Sequence, residues 1–291
     1  LTSNGTKAGS SIGGTMDLKL REPDCDCRKP LTGFISSGYQ SAAKAFYETG
    51  ALNFSKKKWS IRSNITYRKS SDYKCGGRDV VLYSQYEKLN YGLSAKYQVN
   101  SISYLKTDIL FDDGWNIGYP VLPMDVGYAA ARIGSISLLR NNIKSKWNNA
   151  TYKIYANSIY HLMDDTHRPN VTMHMDMPGR SKVFGAYAEG TLHIRQNQNI
   201  QFRADVSSTN LMASMTMYQV NQPSMYMLTW PDNRTIQSGI SAYYQNRLDS
   251  FSSINITSRL DQFIYSLSTQ EAKNQLSVLQ RPTGNISRTL K

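Results

Sequence analysis

Strict alternation of apolar and polar residues is the feature that most limits what this chain can fold into. In WSIRSNITYR, Trp59, Ile61, Ile65 and Tyr67 share one parity, while Arg62, Asn64, Thr66 and Arg68 share the other, as a strand with one apolar and one wet face requires. From Lys88 to Val99, Leu89, Tyr91, Leu93, Ala95, Tyr97 and Val99 alternate with Lys88, Asn90, Gly92, Ser94, Lys96 and Gln98. Lys182 to Arg195 sets Phe184, Ala186, Ala188, Leu192 and Ile194 against Lys182, Glu189, Thr191, His193 and Arg195. Arg234 to Arg247 and Phe251 to Ile264 follow suit through Ile236, Ile240, Ala242 and Tyr244, then Ile254, Ile256, Leu260 and Ile264. No segment carries a convincing helical period, so the chain reads as all-β.

The links between these strands alternate in length. Short polar links fall at Ser55 to Lys58, Asn100 and Ser101, Asn141 to Asn149, Gln196 to Asn199, and Asp249 and Ser250. Long ones fall at Lys69 to Glu87, Asp112 to Gly127, His161 to Arg180 and Thr209 to Asn233. Tight turns on one side and long loops on the other are the pattern of an antiparallel up-and-down transmembrane β-barrel. All nine prolines are expected outside the strands. From Thr32 onward about 11 strands of transmembrane length fit. Such barrels close with an even number of strands, so the chain is expected to stop on an upward strand with its barrel unfinished.

Composition removes several function classes. No run of eighteen or more apolar residues exists, which excludes a transmembrane helix. The net charge of +13 raises the question of nucleic acid, but Lys and Arg are scattered singly and the densest run, Lys56 to Lys58, sits at a tight turn. Contact with anionic lipid headgroups or an anionic ligand fits better, and no nucleic-acid partner is expected. Cys25 and Cys27 form a C-x-C pair without a second pair at finger spacing, a weak zinc signal beside a disulfide or free thiols; Cys75 stands apart. Neither a G-x-S-x-G elbow nor a Walker loop is present, and the adjacent pairs Asp112–Asp113 and Asp164–Asp165 would point to opposite sides of an extended chain, so no enzyme is expected. The opening LTSNGTKAGSSIGG and the closing RPTGNISRTLK read as those of an internal fragment.

Several blocks then support a family resemblance. GSSIGGTMDLKL resembles the end of the plug of TonB-dependent outer-membrane receptors, where a Gly-rich turn leads into a short strand before the barrel begins. DDGWNIGYPVLPMDVGYAAARIGSISL, MDMPGRSKVFGAYAEG and DNRTIQSGISAYYQNRLDS resemble barrel blocks of the same family, in the expected order. The resemblance implies that residues 1–30 are the end of the plug and a linker, and that residues 31–291 are the N-terminal half of a barrel of about 22 strands. It further implies active uptake of a scarce ligand across the outer membrane of a Gram-negative bacterium. The partners would be outer-membrane lipid and a TonB-type energy-transducing complex, engaged through a TonB box that this chain lacks. No cofactor is required; copper or an iron chelate such as a siderophore would be cargo.

The stretch HLMDDTHRPNVTMHMDMPG, His161 to Gly179, would be an external loop between a strand ending near Tyr160 and one beginning near Lys182. His161-Leu162-Met163 resembles the H-x-M motif of the family's copper-receptor branch, and positions two apart on an extended strand point the same way. Imidazole and thioether suit Cu(I), so His161 and Met163 are the candidate metal ligands. Asp164, Asp165, His167, Met173, His174, Met175 and Met177 complete the candidate ligand-binding set. A second Met cluster, LMASMTMYQVNQPSMYML from Leu211 to Leu228, fits a soft metal or plain hydrophobic contact. The competing readings are a passive porin or adhesin barrel, which needs no plug, and a soluble β-sandwich, which would bury the face on which Trp59, Tyr67, Tyr91 and Tyr97 instead suggest aromatic girdles.

Overall fold

The computed structural model describes residues 20–23, 29–77, 79–141, 147–169, 171–219, 221–278 and 284–290. Most of the expected plug end, with Cys25 and Cys27, lies outside the described residues.

The alternating segments form one antiparallel sheet of twelve strands, each paired with its neighbour in sequence. They are β1 (Leu31–Gln40), β2 (Ala45–Lys56), β3 (Trp59–Ser70), β6 (Tyr86–Asn100), β7 (Ser103–Ile117), β8 (Asp125–Asn141), β9 (Trp147–Asp164), β10 (His174–Arg195), β11 (Gln198–Tyr218), β12 (Met225–Arg247), β13 (Ser253–Leu267) and β14 (Ile286–Leu290). A small hairpin, β4 (Tyr73–Lys74) with β5 (Val80–Val81), occupies the long link between β3 and β6. The sheet is thus an up-and-down meander, as the alternation implies.

Its two faces differ in chemistry. Directly paired residues lie on the same face, and the register places Arg62, Ser94, Lys106, Asp108, Glu189, Arg203, Asp205, Arg259 and Asp261 on the inner one. There they satisfy one another. Arg62 donates to Asn53 (3.0 Å), Ser94 to Asp108 (2.7 Å), Arg203 to Glu189 (3.1 Å), and Arg259 bridges Asp205 (2.8 Å) and Asp261 (2.6 Å). Asp112 turns inward to Lys88, while its neighbour Asp113 turns outward to Arg132, the opposed arrangement expected of adjacent carboxylates.

The other face carries Leu52, Phe54, Ile65, Leu93, Leu105, Ile136, Ile154, Phe184, Val206 and Ile240, all well exposed. A contiguous apolar wall of this size is built for hydrocarbon, not for water. Tilted Trp59 and Tyr97 rings (centroids 4.5 Å apart) mark its short-turn border, and stacked Tyr91 and Phe111 (4.8 Å) mark the upper one.

The described part of the segment before the sheet touches the inner face. Glu22 pairs with Lys96 (3.2 Å) and Lys106 (3.4 Å), which face each other across β6 and β7. Partial burial pushes the Glu22 carboxyl up, but the hydrogen bonds and charges of the two lysines outweigh this and hold it below the ordinary carboxylate range.

The structure corrects five expectations. Among the described residues the large sheet has twelve strands where about 11 were expected, because a short β14 returns beside β13. The long loops are shorter than expected, because β10, β11 and β12 run for 22, 21 and 23 residues, about twice the ~9–11 a barrel strand needs to cross a bilayer. Two prolines lie inside strands. Pro178 interrupts the β10–β11 ladder, as a residue without an N–H must, while still standing opposite Leu162, and Pro231 sits where the β11–β12 register shifts. A helix, α1 (Gln270–Val278), fills part of the link between β13 and β14; Thr269 accepts from the Ala272 N–H (3.3 Å) at its start, and its Gln275 amide pairs with both backbone groups of Leu228. Finally, Lys182 shares the outer face with Phe184 rather than the polar face with Glu189.

Candidate functional site at the long-loop end of the wall

β9 carries both candidate metal ligands in its last turns of pleat. His161 stands opposite Gly179 and Met163 opposite Met177, on the inner face. Gly179 makes room for the histidine, since a methyl group there would sit 2.5 Å from the His161 ring carbon Cε1. The ring lies over Gly179, and His161 remains exposed.

The register then gathers methionines from four strands. Met175 pairs with Met217 and Met217 with Met225; Met215 pairs with Met227, and Met177 pairs with Met163 in the adjoining row. Pro178 breaks the ladder between Met177 and Met215, but the register on either side of it is unchanged, which keeps all seven sulfurs on one face. Met217 is buried, and Met225 and Met227 are the most open. Beside His161 the inner mouth is therefore walled with thioether.

The remaining acidic and imidazole groups have structural work. Asp165, 3% exposed, accepts from the Met175 N–H (3.1 Å) and pairs with His174 Nδ1 (3.0 Å), closing the loop between β9 and β10. Asp164 accepts from the Thr166 N–H (3.0 Å). Met173 Sδ accepts from Gln219 (3.6 Å), and His167 is exposed on the loop. The structure thus joins His161, Met163, Met175 and Met177 of the expected set and separates Asp164, Asp165, His167, Met173 and His174 from them. Among the described residues no group of three His, Cys, Asp or Glu side chains is arranged to hold a metal.

One residue that the sequence did not suggest locks the mouth. Arg168 donates from Nε to Asp125 (2.9 Å) and from its terminal nitrogen to Asp125, the Tyr119 carbonyl (2.9 Å) and the Met124 carbonyl (3.4 Å). Its guanidinium lies 3.6 Å over the Tyr83 ring. Three separate loops, before β6, before β8 and before β10, are tied to a single side chain. Met215, Met217, Met225 and Met227 were visible only as a local cluster, because nothing short of the strand register places them beside Met163 and Met177.

An up-and-down antiparallel wall with a charged, self-satisfied inner face and a lipid-ready outer face defines the fold class of transmembrane β-barrels, here in part. Three of the solved structures that it resembles are titled as transporters or an uptake receptor. The structure titled "Copper transporter OprC" matches over 93% of this chain and 42% of that one, with a TM-score of 0.75 at 15% identity. The ferric citrate transporter FecA, unliganded, matches over 89% and 40%, at 0.58 and 11%. The ferric yersiniabactin uptake receptor FyuA from Yersinia pestis matches over 84% and 49%, at 0.52 and 9%. The chain spans under half the length of each. No family model and no curated protein sequence matches it. At the level of fold, the resemblance to TonB-dependent receptors seen in the sequence blocks and the resemblance seen in three dimensions coincide.

Proposed function

We propose that this chain forms the plug end and part of the barrel wall of a TonB-dependent outer-membrane receptor, and that the receptor takes up copper or a copper chelate captured at His161 and Met163. The observation that carries the reading is the inner-face methionine wall that continues from Met163 through Met177 to Met215 and Met227, and from Met175 through Met217 to Met225. Thioethers are soft, neutral donors that favour Cu(I) over hard cations, and the imidazole of His161 adds a stronger donor at the edge of the wall. A row of weak donors lets an ion pass from one to the next without being trapped, as import requires. Contact of Glu22 with Lys96 and Lys106 supports a plugged lumen over an open pore. Transport through the plug would be driven by the TonB-type complex; no covalent chemistry on the cargo is needed.

The test is copper stoichiometry by elemental analysis on the full-length receptor in detergent after Cu(I) loading, beside the double variant His161→Ala, Met163→Ala. About one tightly held copper per chain, lost in the variant, is the expected result. Equal copper in both proteins removes His161 and Met163 as its ligands, and none in either removes the copper assignment and leaves an apolar iron chelate as the cargo that the methionine wall would seat.

A further inference from the structure

We infer that Met225 and Met227 form a peroxide-sensitive modification site, at which reversible oxidation to methionine sulfoxide closes the open end of the methionine wall and leaves the His161 end intact. The gating role rests on the copper reading above; the site itself rests on exposure and register.

Burial grades the wall. Met225 and Met227 are 49% and 40% exposed, whereas Met217, paired with Met175 on one side and Met225 on the other, is 7% exposed. Met163, Met175, Met177 and Met215 lie between these extremes. Two methionines off the wall are protected in other ways: Met124 is buried in the link between β7 and β8, and the Met173 sulfur already accepts a hydrogen bond from Gln219. Oxidation of a thioether requires that the oxidant reach a sulfur lone pair, so exposure sets the order of attack. Met225 and Met227 come first.

The fold holds both sulfurs at the mouth. They lie where β12 leaves the loop after β11, opposite Met217 and Met215. The next residue, Leu228, is 3% exposed; its N–H donates to the Gln275 side chain of α1 (3.0 Å), and its carbonyl accepts from the same amide (2.6 Å). Pairing with β11 on one side and the Gln275 clamp on the other keep this end of β12 extended, so both thioethers stay on the inner face. At the far end, His161 on β9 is three strand spacings from Met227 on β12, roughly 14 Å. A sulfoxide on β12 therefore touches no ion held between His161 and Met163.

The oxidant is hydrogen peroxide reaching the mouth from outside. A sulfur lone pair attacks one peroxide oxygen, the S–O bond forms as the O–O bond breaks, and the other oxygen leaves as water with both hydrogens. Sulfur loses two electrons and peroxide gains them. The product presents a hard, polar oxygen where a soft thioether stood, and Cu(I) prefers the soft donor. Loss of the two most open donors breaks the path to His161 at its accessible end. Cu(I) also gives an electron to peroxide and splits it into hydroxide and hydroxyl radical, so the wall stops loading under the conditions in which its cargo does most damage.

The experiment uses the full-length receptor in detergent, on a Cys75→Ser background because that exposed thiol also reacts with peroxide. After graded hydrogen peroxide, removed with catalase, peptide mass spectrometry reads the order of oxidation. Stopped-flow transfer from a chromophoric Cu(I) chelator, without oxygen, reads the rate and extent of loading. Sulfoxide is expected at Met225 and Met227 first and at Met217 last. Loading should slow at least about tenfold while the final copper per chain stays the same, and methionine sulfoxide reductases should restore the rate. The double variant Met225→Leu, Met227→Leu should load as slowly before peroxide as after it. Even oxidation along the wall, oxidation starting at Met163 or Met177, or full-speed loading with both residues oxidised or replaced would overturn the site. A receptor that binds no copper before oxidation would instead remove the copper reading, and the gating with it, whatever the order of oxidation.

Discussion

At the scale of single residues, the proposed copper site depends on what glycine omits. Gly179 has no side chain, and the His161 ring occupies the space. Gly179→Val would push the imidazole off the wall and away from Met163 and Met177 without removing any donor atom. We expect Cu(I) affinity of the full receptor to fall at least about tenfold, with the strand content unchanged, in a competition titration against a chromophoric chelator. Affinity equal to wild type would mean that the ring's position is irrelevant to binding. Glu22 gives a prediction in pH. Its folded carboxyl is held below the ordinary value by Lys96 and Lys106, so its contact stabilises the docked segment fully above the unfolded value of 4.5 and is lost as pH falls through the lower folded value. A spin label at position 20 of the full receptor should be immobile at neutral pH and mobile in strong acid, and mobile at both in Glu22→Gln. A label that ignores both the acid and the substitution would show that Glu22 does not anchor the segment.

Between residues and the whole molecule, the elements at the mouth depend on one side chain. Arg168 and Asp125 are both nearly buried, at 8% and 7% side-chain exposure, so removing the guanidinium leaves an uncompensated carboxylate and frees three loops together. Breaking such a pair costs roughly 3–5 kcal/mol where it is fully enclosed. At the lower end of that range Arg168→Ala should raise local opening of residues 165–169 and 171–173 on the order of a hundredfold, read by hydrogen exchange, with protection in β6 to β9 retained. Unchanged exchange in the loop would mean that Asp165, through Met175 and His174, suffices to close it. What was legible here follows from period and from what period cannot carry. Alternation identified the faces of β3, β6, β10, β12 and β13, Lys182 apart, because lipid on one side and a charged lumen on the other impose it. It failed above the bilayer, where both faces meet water: β9 and β11 continue past the expected loop starts at His161 and Thr209, β10 and β12 begin inside the expected loops, and Pro178 and Pro231 are tolerated in these two strands. Lys182 was misassigned because a cation at the lipid rim breaks the alternation that an interior strand would keep. The H-x-M pair was legible as neighbours in sequence, whereas Met177 with Met215, or Met217 with Met225, are neighbours only through pairing. Arg168 carried no signal, since a loop arginine looks the same whether it is free or holds three carbonyl and carboxylate partners.

For the molecule as a whole, the open question is what the outer edges of the sheet do. β1 and β14 each pair on one side only within the described sheet, so each presents a row of unpaired backbone donors and acceptors. β1 is ten residues long and carries Leu31, Phe34, Ile35 and Tyr39 in exposed positions, while β14 is five residues long. A closed barrel removes such edges, and in a membrane an unpaired backbone group costs several kcal/mol because hydrocarbon offers it no partner. The lipid-facing wall adds a second liability, as the apolar side chains from Leu52 to Ile264 have no core of their own to enter. The inner charge ladder of Glu189, Arg203, Asp205, Arg259 and Asp261 satisfies itself and so cannot compensate either defect. Residues 31–291 produced alone should therefore associate through β1 and β14 even in detergent. Sedimentation velocity should show a broad distribution of oligomers, against a single species for the complete receptor proposed above. Lysine substitutions at Phe34 and Ile35 on β1 should narrow that distribution, because charge on an edge blocks strand addition. A sharp monomer peak for the unsubstituted segment would mean that the sheet curls to pair its own edges, and that the twelve strands form a small closed barrel instead of part of a large one.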